Sequence, residues 1–501
     1  MKTTLTRLLT ILLALSMLAA LPGMLISCGN GDSGTVTTTT TTASGAGDVI
    51  TPGTEDAYDA NGYLKDSLDP SLSFAGKTIN VLYWEDQEHE EFQSDSITGD
   101  LVGDAIYTRN QAVEERLGIT FNFIPTKGNA SNIAAYTTVV NNSVNAGDRA
   151  YNIVAAHSMT MGNVASKALL YNLTDCDYLD WEKPWWPAGL IDQATINGKL
   201  YFCSGDISAN LIYMMYVTFF NKDLLNDFRL EDPYKLVDEG KWTIDKMFEM
   251  CSGVYNDLNS NGQKDIGDLY GQYTYTLHLD AFLTGSNIIM VNTNGEELSF
   301  SPEFLGEKTL GLQEKVRNFF MNTSDGYLLT VNSSVHQYFG QGLSLFWNDR
   351  CRQAITFSDK DISYGIIPVP KYDEAQKNHV TVIGNPFTPY GIPCDASEED
   401  ANMAAAVLEC MASESYRNVS PALYETALKL KYSQDDVASR MFDIAKSTVA
   451  FDLGRIFSSA LGSPAGKWQS AISGNVSWAT LVKANSKVWT KQLSNLLAAF
   501  K

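Results

Sequence analysis

The most compact chemical motif of the sequence is Asp257-Leu258-Asn259-Ser260-Asn261-Gly262-Gln263-Lys264-Asp265-Ile266-Gly267-Asp268. Oxygen-bearing side chains fall at Asp257, Asn259, Asn261, Asp265 and Asp268, Gly262 stands in the middle, and Gln263 would offer its backbone carbonyl. Hard oxygen donors at this spacing, with a glycine for the sharp turn, are what a Ca²⁺ loop requires. Asp268 is one methylene shorter than the glutamate usual at the last position, and Lys264 replaces an apolar residue that a paired loop would bury. Over the alternative of an Asn/Asp-rich turn with no metal, the motif predicts one isolated, weak, structural Ca²⁺ site outside the cell, where the ion is abundant.

A second pattern sets aromatic rings beside short polar side chains. It comprises Trp84-Glu85-Asp86, His157-Ser158, Asp206, Ser208, Tyr275, His278, Asp280, Trp347-Asn348-Asp349-Arg350 and Trp468. Most of these follow segments that read as strands, and ligands of open α/β sheets bind beyond the carboxyl ends of strands. A sugar ring offers an apolar C–H face and a rim of hydroxyls, so it suits this mixture. Trp84, Trp347 and Trp468 are candidates for stacking, and Asp86, Asp206, Asp349 and Arg350 for the hydroxyls. The competing reading is that tryptophans are core residues, and Pro184-Trp185-Trp186-Pro187 reads as packing.

Other chemistries find little support. Gly31-Asp32-Ser33-Gly34 spells the surroundings of a serine nucleophile but lies in a low-complexity stretch that cannot hold a base in place. No GxSxG, HExxH or phosphate loop occurs, and no segment declares the two carboxylates of a glycosidase. Cys176, Cys203, Cys251, Cys351, Cys394 and Cys410 have no metal-type spacing; export would permit disulfides, and buried free thiols are an equal alternative. The five histidines are scattered. A net charge of −22 disfavours nucleic acid and anionic membrane surfaces as partners.

The elements that must position these residues alternate. Gly76 to Trp84 reads as a strand, a helix runs from about Asp104 to Leu117, and Ile119 to Ile124 is a strand again. Tyr151 to Ala156 reads as strand, Met161 to Leu169 as helix, and Gly198 to Cys203 and Tyr213 to Phe220 as strands. Thr243 caps a helix running to about Tyr255, and Glu307 to Phe320 is helical. Leu343 to Trp347 and Tyr364 to Ile367 are strands. Ser397-x-x-Asp400 opens a helix to about Met411, and helices dominate to Lys501. Such alternation predicts an α/β fold with parallel sheets.

The first residues are of another kind. Lys2 and Arg7 precede an apolar run from Leu8 to Ala20, the layout of a secretory signal and short for a membrane span. Leu25-Ile26-Ser27-Cys28 resembles the lipobox of bacterial lipoproteins, which implies cleavage after residue 27 and acylation of Cys28. Residues 28–62 are rich in Gly, Ser, Thr, Ala and Asp and read as a flexible tether. The expected location is the extracellular face of the cell membrane, anchored by lipid alone. Roughly 440 residues then remain, enough for two lobes.

Four passages in order are similar to the family 1, maltose-binding-protein-like extracellular solute-binding proteins of ABC importers. They are Gly198-Lys199-Leu200-Tyr201 with Phe220-Asn221-Lys222-Asp223-Leu224-Leu225, Lys241-Trp242-Thr243-Ile244-Asp245, Phe339-x-x-Gly342 leading to Phe346, and Tyr364-Gly365-Ile366-Ile367-Pro368-Val369-Pro370-Lys371. The resemblance implies a two-lobed, type II periplasmic-binding-protein-like fold with a ligand cleft between the lobes and a helical C-terminal region. It places lobe 1 at 75–208 plus about 384–415 and lobe 2 at 211–367 plus about 416–501. The chain would cross near Ser208 to Leu211, near Pro368 to Ile383 and near Ala412 to Arg417. The implied activity is not catalytic: capture of a carbohydrate and its delivery to ABC permease subunits. Where maltose-binding relatives carry an aromatic residue after the third strand, this chain has Ala156 and His157, which argues against a maltodextrin. The alternatives are an exported carbohydrate-active enzyme, or a sensing lipoprotein of the same fold working without a permease.

Overall fold

A computed structural model describes residues 57–329, 335–357, 360–424, 436–474 and 476–501 of the chain. The leader, Cys28 and the stretch to residue 56 lie outside the described residues. Residues 57–62, expected in the tether, are already folded: Tyr58 bridges to Leu64, and Tyr63 packs edge-on against Tyr416 at 5.7 Å. Further on, Asp66 is clamped by two nitrogens of Arg116 at 2.6 and 2.7 Å, so the folded body begins well before residue 75.

The first sheet grows from an alternating segment. Strand β1 (Lys77–Trp84) leads through a loop to helix α1 (Leu101–Leu117), then to β2 (Ile119–Thr126), α2 (Ile133–Ala146), β3 (Ile153–Ala155) and α3 (Ser158–Ser166). β1 lies between β2 and β3, parallel to both, and the short strand Tyr390–Gly391 adds antiparallel to β3. Helix α1 starts earlier than apolar spacing alone indicates, because the Asp100 carboxylate accepts the Gly103 N–H and nucleates the first turn. It stops at Gly118, whose φ of 63° ends the helix in the left-handed region.

The expected strand at 198–203 is reduced to isolated bridges, Ile196 to Lys199 and Cys203 to Tyr390. Asn197 and Gly198 both take positive φ, which closes a tight turn where a strand would have to run straight. The chain then passes toward the second sheet through helix α4 (Ala209–Tyr213), so the expected strand from Tyr213 begins only at Tyr216.

The second sheet contains β4 (Tyr216–Asn221), β5 (Tyr270–Tyr275), β6 (Gly326–Leu329), β7 (Ser344–Arg350) and β8 (Tyr364–Pro368), in the order β8-β4-β7-β5-β6. β4 is antiparallel to β7 and β8, whereas β5 is parallel to β6 and β7. Both β4 and β8 are buried along their whole length, as strands covered on two faces should be. Helix α5 (Ile244–Cys251) is capped by the Thr243 hydroxyl on Lys246 N–H and ends four residues short of Tyr255, ahead of Gly253 at φ 79°. Helix α6 (Asp280–Gly285) follows β5, and α7 (Glu307–Arg317) precedes β6.

Helix α8 (Glu398–Glu414), capped by Ser397, packs on α1 beside the first sheet. Helix α9 (Asp436–Ser447) packs on β8 of the second. Three more helices complete the chain: α10 (Leu453–Ile456), α11 (Pro464–Ser473) and α12 (Trp478–Ala498). Among the described residues no helix is long and apolar enough to cross a membrane. The six cysteines of the body are free thiols, and burial pushes Cys351 and Cys410 up to about 12, which keeps them protonated and unreactive.

Candidate ligand-binding site

Because β4 runs against its neighbours, its first residue lies beside the last residues of β7: Tyr216 is in register with Arg350. The end of β5, Tyr275, shares that edge, and the turn after it carries His278 to 5.4 Å from Tyr275 and 5.7 Å from Tyr216, both edge-on. His278 Nε2 is 3.4 Å from Asp349 Oδ1, and Arg350 Nε is 3.2 Å from the same oxygen. Arg350 Nη1 also reaches Glu88 Oε1 at 2.9 Å, and Arg352 pairs with the other Glu88 oxygen. Glu88 sits in the loop between β1 and α1, so these ion pairs join the strand-end rims of the two sheets.

The C-terminal helices close the same region. Arg455 of α10 pairs with Asp280, whose other oxygen accepts from Gln469 Nε2 at 2.7 Å. α10 meets α3 backbone to backbone, and a Cβ on Gly162 would collide with the Ile456 carbonyl. At the start of α3, His157 turns its ring edge-on to Trp84 at 5.5 Å. Its Nδ1 accepts the Met159 N–H, so the ring proton is on Nε2. Burial first, and the Arg455 charge second, bring His157 down to about 3. Burial also lowers His278 against the opposing pull of Asp349. Both imidazoles are neutral at physiological pH.

Two polar atoms here are buried with no protein partner: His278 Nδ1 and Arg455 Nε. With its Nε2 turned to Asp349, neutral His278 leaves Nδ1 as an acceptor; Arg455 Nε is a donor. Leaving such groups unmatched costs roughly 1–3 kcal/mol each, so donor and acceptor groups brought by a ligand would recover that free energy.

Several sequence candidates have other employment. The Asp86 carboxylate accepts from Gly128 N, Asn129 N and Asn132 Nδ2 at 2.8–3.0 Å and shapes the loop after β2. Glu85 is exposed to solvent. Asp206 accepts from Ser420. Ser158 donates to the Asn385 carbonyl, and Ser208 donates to buried Glu91, which also takes Asn210 N and the Thr388 hydroxyl. Trp84 Nε1 donates to that same Thr388.

The expectation that Trp347 and Trp468 stack on a ligand is corrected by their placement, since both are 0% exposed. Trp347 alternates away from Arg350 along β7 and stacks on Phe219 at 5.1 Å, with Phe339 and Phe357 beside it. Asn348, on the other face, is equally buried and accepts from Thr218 and Gln272. Sequence reasoning missed Glu88, Tyr216, Arg352, Arg455 and Gln469. Arg350-x-Arg352 at a strand end was a usable signal; Arg455 and Gln469 are brought in by tertiary packing alone.

The loop 257–268 folds back on its own side chains. Asp257 accepts the backbone N–H groups of Asn261 and Gly262, Gly262 has φ 72°, and Asp268 is wholly buried beneath Tyr255 and Tyr270. The amide nitrogens of Asn259 and Asn261 both face Asp265. Among the described residues no three His, Cys, Asp or Glu side chains gather as a metal cluster. A rotation of the two amides would turn their oxygens toward Asp265, while Asp268 is held by Tyr255, Tyr270 and the backbone N–H groups of Leu258 and Asp265.

A cavity of about 790 Å³ is lined by Lys308, Tyr372 and His379, and none of the rim residues named above lines it. A cavity of about 490 Å³ lies beside the rim, between His89, the loop 93–103 and Tyr213. His89 stacks on Tyr213 at 4.2 Å and touches Arg352. The charged rim is the better-supported site because it joins both sheets and carries Tyr275, His278, Asp280, Asp349 and Arg350, none of which lines either cavity.

No protein-family model matches the chain, and no curated protein matches it by sequence. Solved structures do. The cyclic α-maltosyl-1,6-maltose binding protein of Arthrobacter globiformis is 12% identical, with a TM-score of 0.55 over 84% of this chain and 100% of that one. The galacto-N-biose/lacto-N-biose I-binding protein of a Bifidobacterium longum ABC transporter is 11% identical, TM-score 0.55, over 84% and 98%. An ABC substrate-binding protein of Listeria monocytogenes, solved with cycloalternan, is 13% identical, TM-score 0.53, over 84% and 99%. At such identities the likeness concerns the fold: it is the two-lobed α/β fold of periplasmic-binding-protein type, shared with maltose-binding-protein-like solute-binding proteins.

Proposed function

We propose, taking that fold as the premise, that the chain is a membrane-anchored extracellular solute-binding lipoprotein that captures a carbohydrate between its two sheets and hands it to an ABC permease. The observation that carries the reading is the rim where Glu88 meets Arg350 and Arg352 and Asp280 meets Arg455. Two sheets face each other there across neutral histidines, tyrosines and unmatched donors and acceptors. Hydroxyls both donate and accept, so a sugar matches such a set. Ion pairs that form only when the sheets approach would couple binding to closure, and the closed form is what a permease would read. Comparable structures named as binders of cyclic maltosyl-maltose, lacto-N-biose and cycloalternan support a sugar rather than a peptide.

Lipidation of Cys28 would keep the loaded protein beside its permease, and two acyl chains suffice for stable anchoring. The loop 257–268 is proposed to hold a structural Ca²⁺. A thermal-shift screen against mono- and oligosaccharides tests the binding reading, and silence from every sugar would reject it. Release of new reducing ends from those glycans would instead identify an enzyme. Cys28→Ala should move the protein from the membrane fraction to the medium.

A further inference from the structure

The charges around Tyr216 narrow the ligand class. Tyr216 lies in the field of Arg350, Asp349, Arg455 and Asp280 together, which makes the two ion-pair groups one site. Each cation is already matched: Arg350 by Asp349 and Glu88, Arg352 by Glu88, and Arg455 by Asp280. The carboxylates of Asp280 and Asp349 are almost wholly enclosed, with side chains 6% and 3% exposed. Three cations therefore face three carboxylates, and the neutral histidines add nothing.

We propose that the site selects uncharged, hydroxyl-rich glycans and rejects glycans bearing carboxylates, because every arginine at the rim is already held by a carboxylate of the protein. The proposal rests on the reading of this rim as the sugar site. A uronate could gain Arg455 or Arg350 only by displacing Asp280 or Asp349, and either enclosed carboxylate would be left buried and unpaired; at Arg352 it would meet the like charge of part-exposed Glu88. A hydroxyl displaces no carboxylate, since buried Arg455 Nε and His278 Nδ1 have no partner within the protein. The net charge of −22 adds repulsion at longer range.

Titration calorimetry on the mature chain at pH 7 tests this with pairs of equal length: cellotetraose, xylotetraose and maltotetraose against tetragalacturonate and tetramannuronate. The expected result is a neutral glycan bound at least tenfold more tightly than either acidic one. Equal or tighter binding of an acidic glycan overturns the selectivity while leaving the sugar reading intact; no binding by any of them overturns both. Asp280→Asn frees Arg455 and should narrow the preference tenfold or more. Glu88→Gln, at a part-exposed position with little consequence for folding, should narrow it severalfold by freeing Arg352. An unchanged preference in the folded variants overturns the assignment.

Discussion

Glu88 Oε1 lies 2.9 Å from Arg350 Nη1, joining the loop after β1 of the first sheet to the end of β7 in the second. The two residues are 262 positions apart, and their partner Arg352 shares the same carboxylate. With 31% of the Glu88 side chain exposed, solvent screens the pair, so its worth is about 0.2–1 kcal/mol. Its effect on binding should be correspondingly modest. Glu88→Gln is expected to weaken a neutral sugar about two- to fivefold by favouring the open form, with a smaller loss at high salt. Calorimetry at two ionic strengths reads this directly.

A change at the α3–α10 contact should act more strongly. Any side chain at Gly162 would push against the Ile456 carbonyl and move Arg455 away from the rim. Gly162→Ala should therefore lower sugar affinity tenfold or more, and X-ray scattering of the sugar-saturated protein should give a larger radius of gyration than the wild type. Unchanged affinity would mean that this contact is not part of the bound form.

Trp347 offers a test of core against platform. Trp347→Ala removes a ring packed on Phe219, Phe339 and Phe357 and should cost about 3–5 kcal/mol of stability. The milder Trp347→Phe should lower the melting temperature while leaving sugar affinity within about twofold, the signature of a core residue.

Calcium should stabilise the loop at 257–268. At millimolar Ca²⁺ and an affinity typical of extracellular sites, linkage gives about 0.4–1.4 kcal/mol, a rise of at most a few degrees over chelator. Asp257→Ala should abolish the rise, because Asp257 also organises the backbone of Asn261 and Gly262. An identical melting temperature with chelator and with Ca²⁺ would rule out the ion.

Glu409 predicts a pH dependence remote from the site. Burial raises it to about 7, although Trp186 Nε1 donates to one oxygen at 2.8 Å. Its folded value lies above the unfolded one, so its contribution is fully present below about pH 4.5 and is lost as pH rises through 7. Glu409→Gln keeps an acceptor for Trp186 and should melt higher than wild type at pH 8, with the gain vanishing near pH 5.

The parallel alternation of the first sheet was legible because β1 and β2 bury apolar residues against a helix whose apolar positions recur regularly. The site was legible only where it coincided with strand ends: Tyr275, His278, Asp349 and Arg350 meet there, whereas Trp347, two residues before Asp349 on the same face, is covered by Phe219, Phe339 and Phe357. Tyr216 was hidden inside an apolar run whose first residue, Tyr213, ends a helix. Arg455 and Gln469 come from helices far along the chain, and no local pattern announces that they reach Asp280.

The central claim is that a sugar binds at the rim shared by Asp280, Arg455 and the two sheets. Titration of the wild type and of Arg455→Ala with the sugar that gives the largest thermal shift tests it most directly. Measurable binding by the wild type and a loss of at least thirtyfold in the variant, with its circular dichroism unchanged, are expected. Undiminished binding by folded Arg455→Ala would contradict it.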